Sequence, residues 1–138
     1  MRELEVAAAL IRKGREFIIC QRKEKDKFAL LWEFPGGKCR KSESFKECIK
    51  REIKEELGIK IRVEELLGIF EDQDKNLKIR AYLFLSSIKE GIPLCFDCKN
   101  FSWVSLSETR KYNFAPLDKK ILLFLERNSW IFNNNKKG

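Results

Sequence analysis

Histidine is absent from the 138 residues of this chain. Its absence excludes Ser-His-Asp triads, and it excludes metal sites of the HExxH type, in which two histidines bind the ion. Without an imidazole, general base catalysis must come from carboxylates or from water bound to a metal ion. A catalytic site in this sequence therefore has to be sought among its aspartates and glutamates.

Long apolar runs are also absent, and no stretch approaches the roughly 20 residues that cross a bilayer. The first residues, MRELEVAAALIRKG, are too short and too charged for a signal peptide and predict a strand. We therefore expect a cytoplasmic protein without membrane contact. No internal repeat or linker divides the chain, so we expect one domain over residues 1–132 and a polar, frayed tail over residues 133–138.

Cysteine is scattered along the chain, at positions 20, 39, 48, 95 and 98. An odd number of cysteines without a secretory signal favours reduced thiols. Cys95 and Cys98 have the spacing of half a zinc knuckle, but the sequence offers no second pair and no histidine to complete it. We interpret them as a chance pair in a loop.

Basic residues outnumber acidic ones by 29 to 21, which gives a net charge of +8. This charge favours anionic partners. A nucleoside triphosphate fits it, and so does nonspecific contact with nucleic acid. Charge alone does not choose between them, and an AT-rich genome, which inflates lysine, is a neutral explanation.

The segment from Gly37 to Ile59 carries the most informative pattern. Residues 44–57 predict one helix, because Ser44 and Glu47 fit the S-x-x-E capping box and Gly58 stands where a helix ends. Apolar residues recur along it at helical spacing, at Phe45, Cys48, Ile49, Ile53 and Leu57.

Three glutamates are grouped on this helix. Glu52 and Glu56 are i, i+4 neighbours on one face, and Glu55 lies along its edge. Their face overlaps the apolar stripe, and partial burial makes the repulsion between like charges more costly. A cation such as Mg²⁺, which takes carboxylate oxygens and shares them with phosphates, would remove both penalties. The alternative is an ordinary charged helix face with i, i+4 Lys–Glu pairs.

The same segment resembles the Nudix hydrolase signature, G-x5-E-x7-R-E-U-x-E-E-x-G-U, in which U is a bulky apolar residue. Every fixed position is filled, by Gly37, Glu43, Arg51, Glu52, Ile53, Glu55, Glu56, Gly58 and Ile59. Residues 32–38, WEFPGGK, resemble the lead-in of the MutT-type branch, which hydrolyses nucleoside triphosphates. The resemblance covers residues 3 to about 125 and implies an α/β fold, the Nudix α/β/α sandwich with a mixed β-sheet between helices.

A metal site is implied by this resemblance. Glu52, Glu55, Glu56 and the carbonyl of Gly37 would bind Mg²⁺ or Mn²⁺ against a diphosphate. Either Glu55 or Glu56 would also help to deprotonate the attacking water. Asp97 is a further catalytic and metal-binding candidate, because the MutT-type branch has an acidic residue on the comparable loop. A lone loop acid without a catalytic role is the alternative.

Two other signature residues have supporting roles in the family. Arg51 would orient a carboxylate by a charge-assisted hydrogen bond. Glu43 would support the loop that precedes the helix.

Substrate contacts are implied on both sides of the signature. Arg22 and Lys38 are candidates for phosphate contact, with plain solvation as the alternative. Phe34 would lie near the nucleotide base, and Glu33 would help to shape its pocket. Asp118 lies in a stretch that resembles the family's base-reading segment. An ionised Asp only accepts hydrogen bonds, which favours the cytosine amine or the N1/N2 edge of guanine; the alternative is an acid that complements the helix dipole.

The order of predicted elements is strands, helix, strands, helix, which supports a mixed sheet between helices. The strands are predicted at residues 4–11, 17–22, 61–71, 77–86 and 101–106, and the second helix at residues 116–125. Turns are predicted at residues 13–15, 72–76 and 89–91, and a short helical turn at residues 107–109.

We expect a Mg²⁺-dependent MutT-like pyrophosphohydrolase that acts as a monomer or dimer, without a stable nucleic-acid partner. It would convert (d)NTP, including 8-oxo-dGTP or (5-methyl-)(d)CTP, to a nucleoside monophosphate and pyrophosphate. Two alternatives stay open. One is a Nudix hydrolase of a dinucleoside polyphosphate, ADP-ribose or capped RNA. The other is a non-enzymatic, basic nucleic-acid-binding module.

Overall fold

The computed structural model describes residues 1–133. Its strands are β1 (Arg2–Lys13), β2 (Glu16–Gln21), β3 (Trp32–Glu33), β4 (Gly36–Lys38), β5 (Lys60–Asp74), β6 (Leu77–Glu90) and β7 (Asn100–Ser105). The helices are α1 (Phe45–Leu57) and α2 (Pro116–Arg127), and two short 3₁₀ helices cover Ser107–Lys111 and Ser129–Phe132.

The strands form a mixed sheet in the order β3-β2-β1-β6-β5, with β4 beside β1 and β7 beside β2. The central pair β1 and β6 is parallel, with Ala7 opposite Tyr82, and the other pairs are antiparallel. The predicted mixed sheet is therefore confirmed, and the strands predicted on either side of residues 72–76 pair as an antiparallel hairpin.

Each face of this sheet is covered by one helix. Because side chains alternate along a strand, Ala7, Ala9 and Ile11 of β1 join one apolar cluster, while Ala8 and Leu10 join the other. The first cluster includes Cys48, Ile49, Ile53 and Leu57 of α1, and the second includes Ile121 and Leu125 of α2. This arrangement confirms the predicted α/β/α sandwich.

Three strands, β1, β5 and β6, extend further than predicted, whereas β2 and β7 are each shifted by one residue towards the N-terminus. Pairing of β5 with β6 continues from Lys60 opposite Glu90 to Asp74 opposite Leu77. The predicted turn at residues 72–76 therefore shrinks to the two residues between these strands, and the one expected at residues 89–91 begins only after Glu90. Polar residues such as Asp72 stay in the ladder because backbone pairing with the neighbouring strand satisfies their amides and carbonyls.

One expectation about the cysteines is wrong. Cys39, just after β4, and Cys48, in the first half of α1, form a disulfide, although five reduced thiols were expected. The packing of β4 against α1 brings their Cα atoms to 5.3 Å, a separation that suits a disulfide. Cys20, Cys95 and Cys98 are free.

Within residues 1–133, no helix combines the length and the apolar character that a membrane crossing requires. Asn133 is exposed and follows the last 3₁₀ turn. The rest of the predicted tail, residues 134–138, lies outside the described residues.

Candidate active site

Both ends of α1 are fixed by local hydrogen bonds. The Ser44 hydroxyl accepts from the Glu47 N–H at 3.1 Å, and the Glu47 carboxylate accepts from the Ser44 N–H at 2.8 Å. At the other end, Gly58 adopts φ 72° and its N–H donates to the Lys54 carbonyl at 3.0 Å. The predicted capping box and C-terminal glycine are confirmed, and together they fix where the acidic face of α1 begins and ends.

Arg51 connects the glutamates of the signature to the loop before α1. Its guanidinium donates to both carboxylate oxygens of Glu43, at 2.9 and 2.7 Å, and to the Lys38 carbonyl at 3.0 Å. It also donates to Glu52 at 2.8 Å and to Glu55 at 3.2 Å. Three of the predicted site residues on α1 are thereby held in one hydrogen-bonded group.

Glu43 is the most strongly stabilised carboxylate of this group. It accepts the two bonds from Arg51 and a third from the backbone N–H of Arg40, at 2.9 Å. The hydrogen bonds from Arg51, followed by the one from Arg40, lower the pKa of Glu43 to about 2. Glu43 therefore stays ionised and pins Arg51 in place.

Gly37 lies on β4, directly opposite Ala7 of β1, and faces α1. A Cβ atom at this position would overlap the carboxylate of Glu52. Glycine at this position leaves room for the Glu52 carboxylate beside the strand.

Glu56 points into the protein. Its side chain is 9% exposed, and its Oε1 has no hydrogen-bond partner among the described residues. Burial, and then the charges of Glu33, Cys98 and Glu52, raise the pKa of Glu56 well above its ordinary value, while a bond from the Gly36 N–H opposes them. A buried carboxylate oxygen without a partner is costly and typical of a functional site.

Glu33 lies at the end of β3 and forms an ion pair with Arg22. Arg22 Nη1 donates to Glu33 Oε1 at 2.7 Å, and both side chains are largely buried. Burial raises the pKa of Glu33, and the charge of Arg22 opposes that increase.

Asp118 lies in the first turn of α2 and is buried. Its Oδ1 accepts a hydrogen bond from the backbone N–H of Phe34 at 2.9 Å. Burial, and then the charge of Glu33, raise the pKa of Asp118 well above its ordinary value. The start of α2 is held beside β3 by the Trp32 N–H, which donates to the Asn113 carbonyl at 2.8 Å.

A cavity of about 410 Å³ brings together the predicted substrate contacts. Its lining includes all five of them and one metal candidate: Arg22, Glu33, Phe34, Lys38, Asp118 and Gly37. Among the described residues, the lining does not include Glu52, Glu55, Glu56 or Asp97. Gly37 connects the two groups, because it borders the cavity and also contacts Glu52.

Asp97 is separated from the acids of α1 in this structure. Its carboxylate is 62% exposed and forms an ion pair with Lys23. Its backbone N–H donates to the carbonyl of Glu56 at 3.3 Å, so the loop is close to α1 while the side chain faces outward.

The carboxylates of α1 are ligands of the kind that divalent cations prefer. In this structure, however, they do not converge on a single binding point. Within residues 1–133, no three carboxylates or thiols are grouped as the ligands of a single ion. Glu52 and Glu55 are both held by Arg51, and Glu56 has a buried oxygen without a partner. A divalent cation would satisfy that oxygen and needs oxygen ligands of this kind.

Sequence reasoning missed the apolar walls of the cavity. They include Leu4 and Val6 of β1, Ile79 of β6, and Phe28, which has φ 58° in the loop after β2. The alternation of β1 could have identified its two residues, since it places Leu4, Val6 and Ala8 on one face. The sequence carries no signal for Phe28, whose backbone conformation is unusual for a residue other than glycine.

The surroundings of Glu56 also contain a thiol that the sequence did not implicate. Cys98 is close enough to influence the pKa of Glu56. Hydrogen bonding with Cys20, and then with Cys95, lowers the pKa of Cys98 to about 7.

The chain matches the NUDIX domain family over residues 1–125. It is 30% identical to a CTP pyrophosphohydrolase of Escherichia coli (strain K12) over 88% of this chain and 90% of that protein. It is 31% identical to an 8-oxo-dGTP diphosphatase of Buchnera aphidicola subsp. Schizaphis graminum over 88% of this chain and 92% of the relative.

Among solved structures, a MutT protein from Methanosarcina mazei Go1 superposes with a TM-score of 0.81 at 26% identity. The alignment covers 93% of this chain and 96% of that one. The fold, the filled signature on α1 and these relatives agree, and the chain therefore belongs to the Nudix family of hydrolases.

Proposed function

We propose that the protein is a Mg²⁺-dependent (or Mn²⁺-dependent) nucleoside triphosphate pyrophosphohydrolase. It would hydrolyse (d)NTP, including oxidised or modified forms, to a nucleoside monophosphate and pyrophosphate, and so contribute to sanitation of the nucleotide pool and DNA repair. The observation that carries the proposal is the buried, unpartnered Oε1 of Glu56 on α1, close to a cavity of nucleotide size.

The proposed ligands of the cation are Glu52, Glu55, Glu56, Asp97 and the carbonyl of Gly37. When bound, the ion supplies positive charge that neutralises the phosphate oxygens under attack. Two of these acids must leave their present partners, because Arg51 bonds Glu55 and Lys23 bonds Asp97. Both are the more exposed members of the set, at 54% and 62%, so their rearrangement is inexpensive.

Different residues of the chain would accept the proton, orient a metal ligand and bind the phosphates. Glu55 or Glu56 takes the proton of the attacking water, and burial raises the pKa of Glu56, which favours uptake of a proton there. Arg51 keeps Glu52 oriented. Four basic residues line the cavity, Arg2, Arg22, Lys27 and Lys38, and suit a polyphosphate.

Base recognition is assigned to Asp118 and Glu33, with Phe34 beside the base. Burial raises the pKa of Asp118 and so favours its protonated form, which donates one hydrogen bond, whereas the ionised form only accepts. A protonated carboxyl group presents an O–H donor beside a carbonyl acceptor, and both cytosine and guanine have a hydrogen-bonding edge with an N–H donor beside an acceptor. The two curated relatives divide in the same way, one named for CTP and one for 8-oxo-dGTP.

The enzyme would act in the cytoplasm, as a monomer or dimer, on a small-molecule substrate. It would form no stable complex with nucleic acid.

The test is release of pyrophosphate from each (d)NTP, with 8-oxo-dGTP and 5-methyl-dCTP in the panel and Mg²⁺ or Mn²⁺ in the buffer. We expect a nucleoside monophosphate and pyrophosphate in equal amounts. Best turnover on ADP-ribose or a dinucleoside polyphosphate would reject the triphosphate substrate while keeping the Nudix chemistry. Salt-dependent DNA binding without any hydrolysis would reject both.

A further inference from the structure

Cys95 and Cys98 form a close pair of free thiols in the loop between β6 and β7. Their sulfur atoms are 2.6 Å apart, and a disulfide bond is about 2.05 Å long. Cys95 is exposed and Cys98 is half-buried. The bond can therefore form with little movement of the loop, and an oxidant in solution can reach the pair.

The loop that carries this pair is attached to the C-terminal end of α1. The Leu94 N–H donates to the Leu57 carbonyl at 3.1 Å, and the Phe96 N–H donates to the Glu56 carbonyl at 2.9 Å. The Phe96 ring covers Gly58 so closely that a Cβ atom there would overlap it. The loop thus satisfies carbonyls that the end of a helix leaves free.

Cys20 is a neighbouring thiol, but it is placed differently. It lies on β2 within the apolar cluster under α1 and is 0% exposed. It shares a hydrogen bond with Cys98. Since solvent does not reach Cys20, the accessible partner of Cys98 is Cys95.

We propose that Cys95 and Cys98 are a reversible dithiol–disulfide site that responds to peroxide and clamps the end of α1 that carries Glu56. One sulfur attacks a peroxide oxygen, the O–O bond breaks, and water leaves once the hydroxide takes up a proton. The second sulfur then attacks the resulting sulfenic acid, the S–S bond forms, and the S–O bond breaks to release a second water. Two thiols are oxidised by two electrons, and one hydrogen peroxide is reduced to two waters.

The bond restricts the loop on both sides of Phe96. Opening of the loop exposes the N–H groups of Leu94 and Phe96, which otherwise bond the end of α1. In the disulfide form this opening becomes rarer, because the loop has fewer conformations available when it detaches. The oxidation state of the pair is thereby linked to the mobility of the backbone at Glu56.

Peptide mapping tests the proposal directly, because trypsin places the pair Cys95 and Cys98 on one peptide and Cys20 on another. Residues 90–99, EGIPLCFDCK, contain Cys95 and Cys98 alone, and residues 16–22 contain Cys20 alone. The folded protein is treated briefly with hydrogen peroxide, unfolded, alkylated with iodoacetamide and digested. We expect peptide 90–99 to lose both alkyl groups and to be lighter than its dithiol form by two hydrogen atoms, and dithiothreitol treatment to restore both alkyl groups.

The matched variants are Cys95→Ser and Cys20→Ser. The first removes an exposed thiol and should abolish the internal disulfide, whereas the second should leave it unchanged. A doubly alkylated peptide 90–99 after peroxide would overturn the proposal. A cross-link between peptides 16–22 and 90–99 would also overturn it, because Cys20 would then be the partner.

Hydrogen exchange tests the clamp itself. We expect exchange of the amides in residues 94–98 to become several-fold slower in the peroxide-treated protein and to stay unchanged in treated Cys95→Ser. Equal exchange before and after oxidation of the wild-type chain would overturn the link to α1. Neither measurement depends on hydrolysis of any nucleotide, so failure here is distinguishable from failure of the proposed function.

Discussion

Glu56 combines an unfavourably buried carboxylate with a proposed role in catalysis. Its carboxylate is buried within the electrostatic influence of Glu33 and Glu52, and one oxygen has no hydrogen-bond partner among the described residues. Burying such an atom costs on the order of 1–3 kcal/mol. The cost is understandable if a cation or a proton occupies that oxygen during the reaction.

Replacement of Glu56 by glutamine should separate activity from stability. We expect turnover to fall by about a hundredfold or more, because the amide can neither take a proton nor neutralise a cation. The free energy of unfolding in metal-free buffer should not fall, because a neutral amide of similar size replaces a carboxyl group whose ionised form is disfavoured by burial. Initial rates of pyrophosphate release and urea denaturation measure the two effects.

The matched control is Glu126→Gln, which removes an exposed glutamate from α2 with the same change of charge. It should leave both rate and stability unchanged. Normal turnover in Glu56→Gln with Mg²⁺ present would contradict the proposed role.

Glu43 gives a prediction about pH. Its pKa is lowered from the ordinary glutamate value of 4.5 to about 2, so the unfolded state binds a proton more readily than the folded state. The stabilisation is therefore fully present above pH 4.5 and is lost as the pH falls through about 2. Urea denaturation from pH 2 to 6 should show wild type more stable than Glu43→Gln at the upper end, with the difference shrinking at the lower end. A constant difference across that range would contradict this account.

Asp118 gives a prediction about specificity. In Asp118→Asn the side-chain oxygen can still accept the hydrogen bond from Phe34, so the fold should persist. The base-facing groups change, because a titrating carboxyl is replaced by an amide that never ionises. We expect the ratio of kcat/KM between the preferred and the other bases to change by about tenfold or more. An unchanged order of preference across the nucleotide panel would place base recognition elsewhere.

The sequence identified the candidate metal ligands on α1 and at Asp97, but it could not predict which ion pairs they form. Helical spacing places Glu55 at the edge of the acidic face, and its side chain is indeed the exposed one, at 54%. The ion pair of Asp97 with Lys23 joins residues from two different loops, and no local pattern in the sequence encodes such a contact.

At the scale of elements, α1 was the best predicted part of the chain, because its start and end are encoded locally by Ser44, Glu47 and Gly58. Strand ends were less predictable. The ends of β5 and β6 are set by how far the backbone hydrogen bonds between the two strands continue, and not by their side chains. The disulfide of Cys39 with Cys48 was missed for a similar reason, since it depends on how β4 packs on α1.

The C-terminal end of α1 offers a test of element geometry. Gly58 and Gly14 both have positive φ, 72° and 63°, but only Gly58 lies under the Phe96 ring. Alanine in this conformation costs about 1–2 kcal/mol, so both Gly58→Ala and Gly14→Ala should be less stable than wild type. Gly58→Ala should be the less stable of the two in urea denaturation, because the ring must also move. Equal stability of the two variants would contradict the contact with Phe96.

At the scale of the whole molecule, β1 and β2 are buried on both faces, and the two helices cover opposite sides of the sheet. The cavity includes residues of α2, β1 and β6, and Gly37 connects it to the acids of α1. The alternation of elements predicted the layers. The strand order follows from pairings between distant segments, such as Arg2 with Leu77, which the sequence pattern alone does not specify.

The most direct test of the account is a crystal structure with Mg²⁺ and a non-hydrolysable nucleoside triphosphate. We predict a Mg²⁺ ion in contact with Glu52 and Glu56, triphosphate oxygens beside the ion, and the base in the cavity next to Asp118. An ion bound elsewhere, with Glu55 still held by Arg51 and Glu56 Oε1 still without a partner, would contradict the central claim.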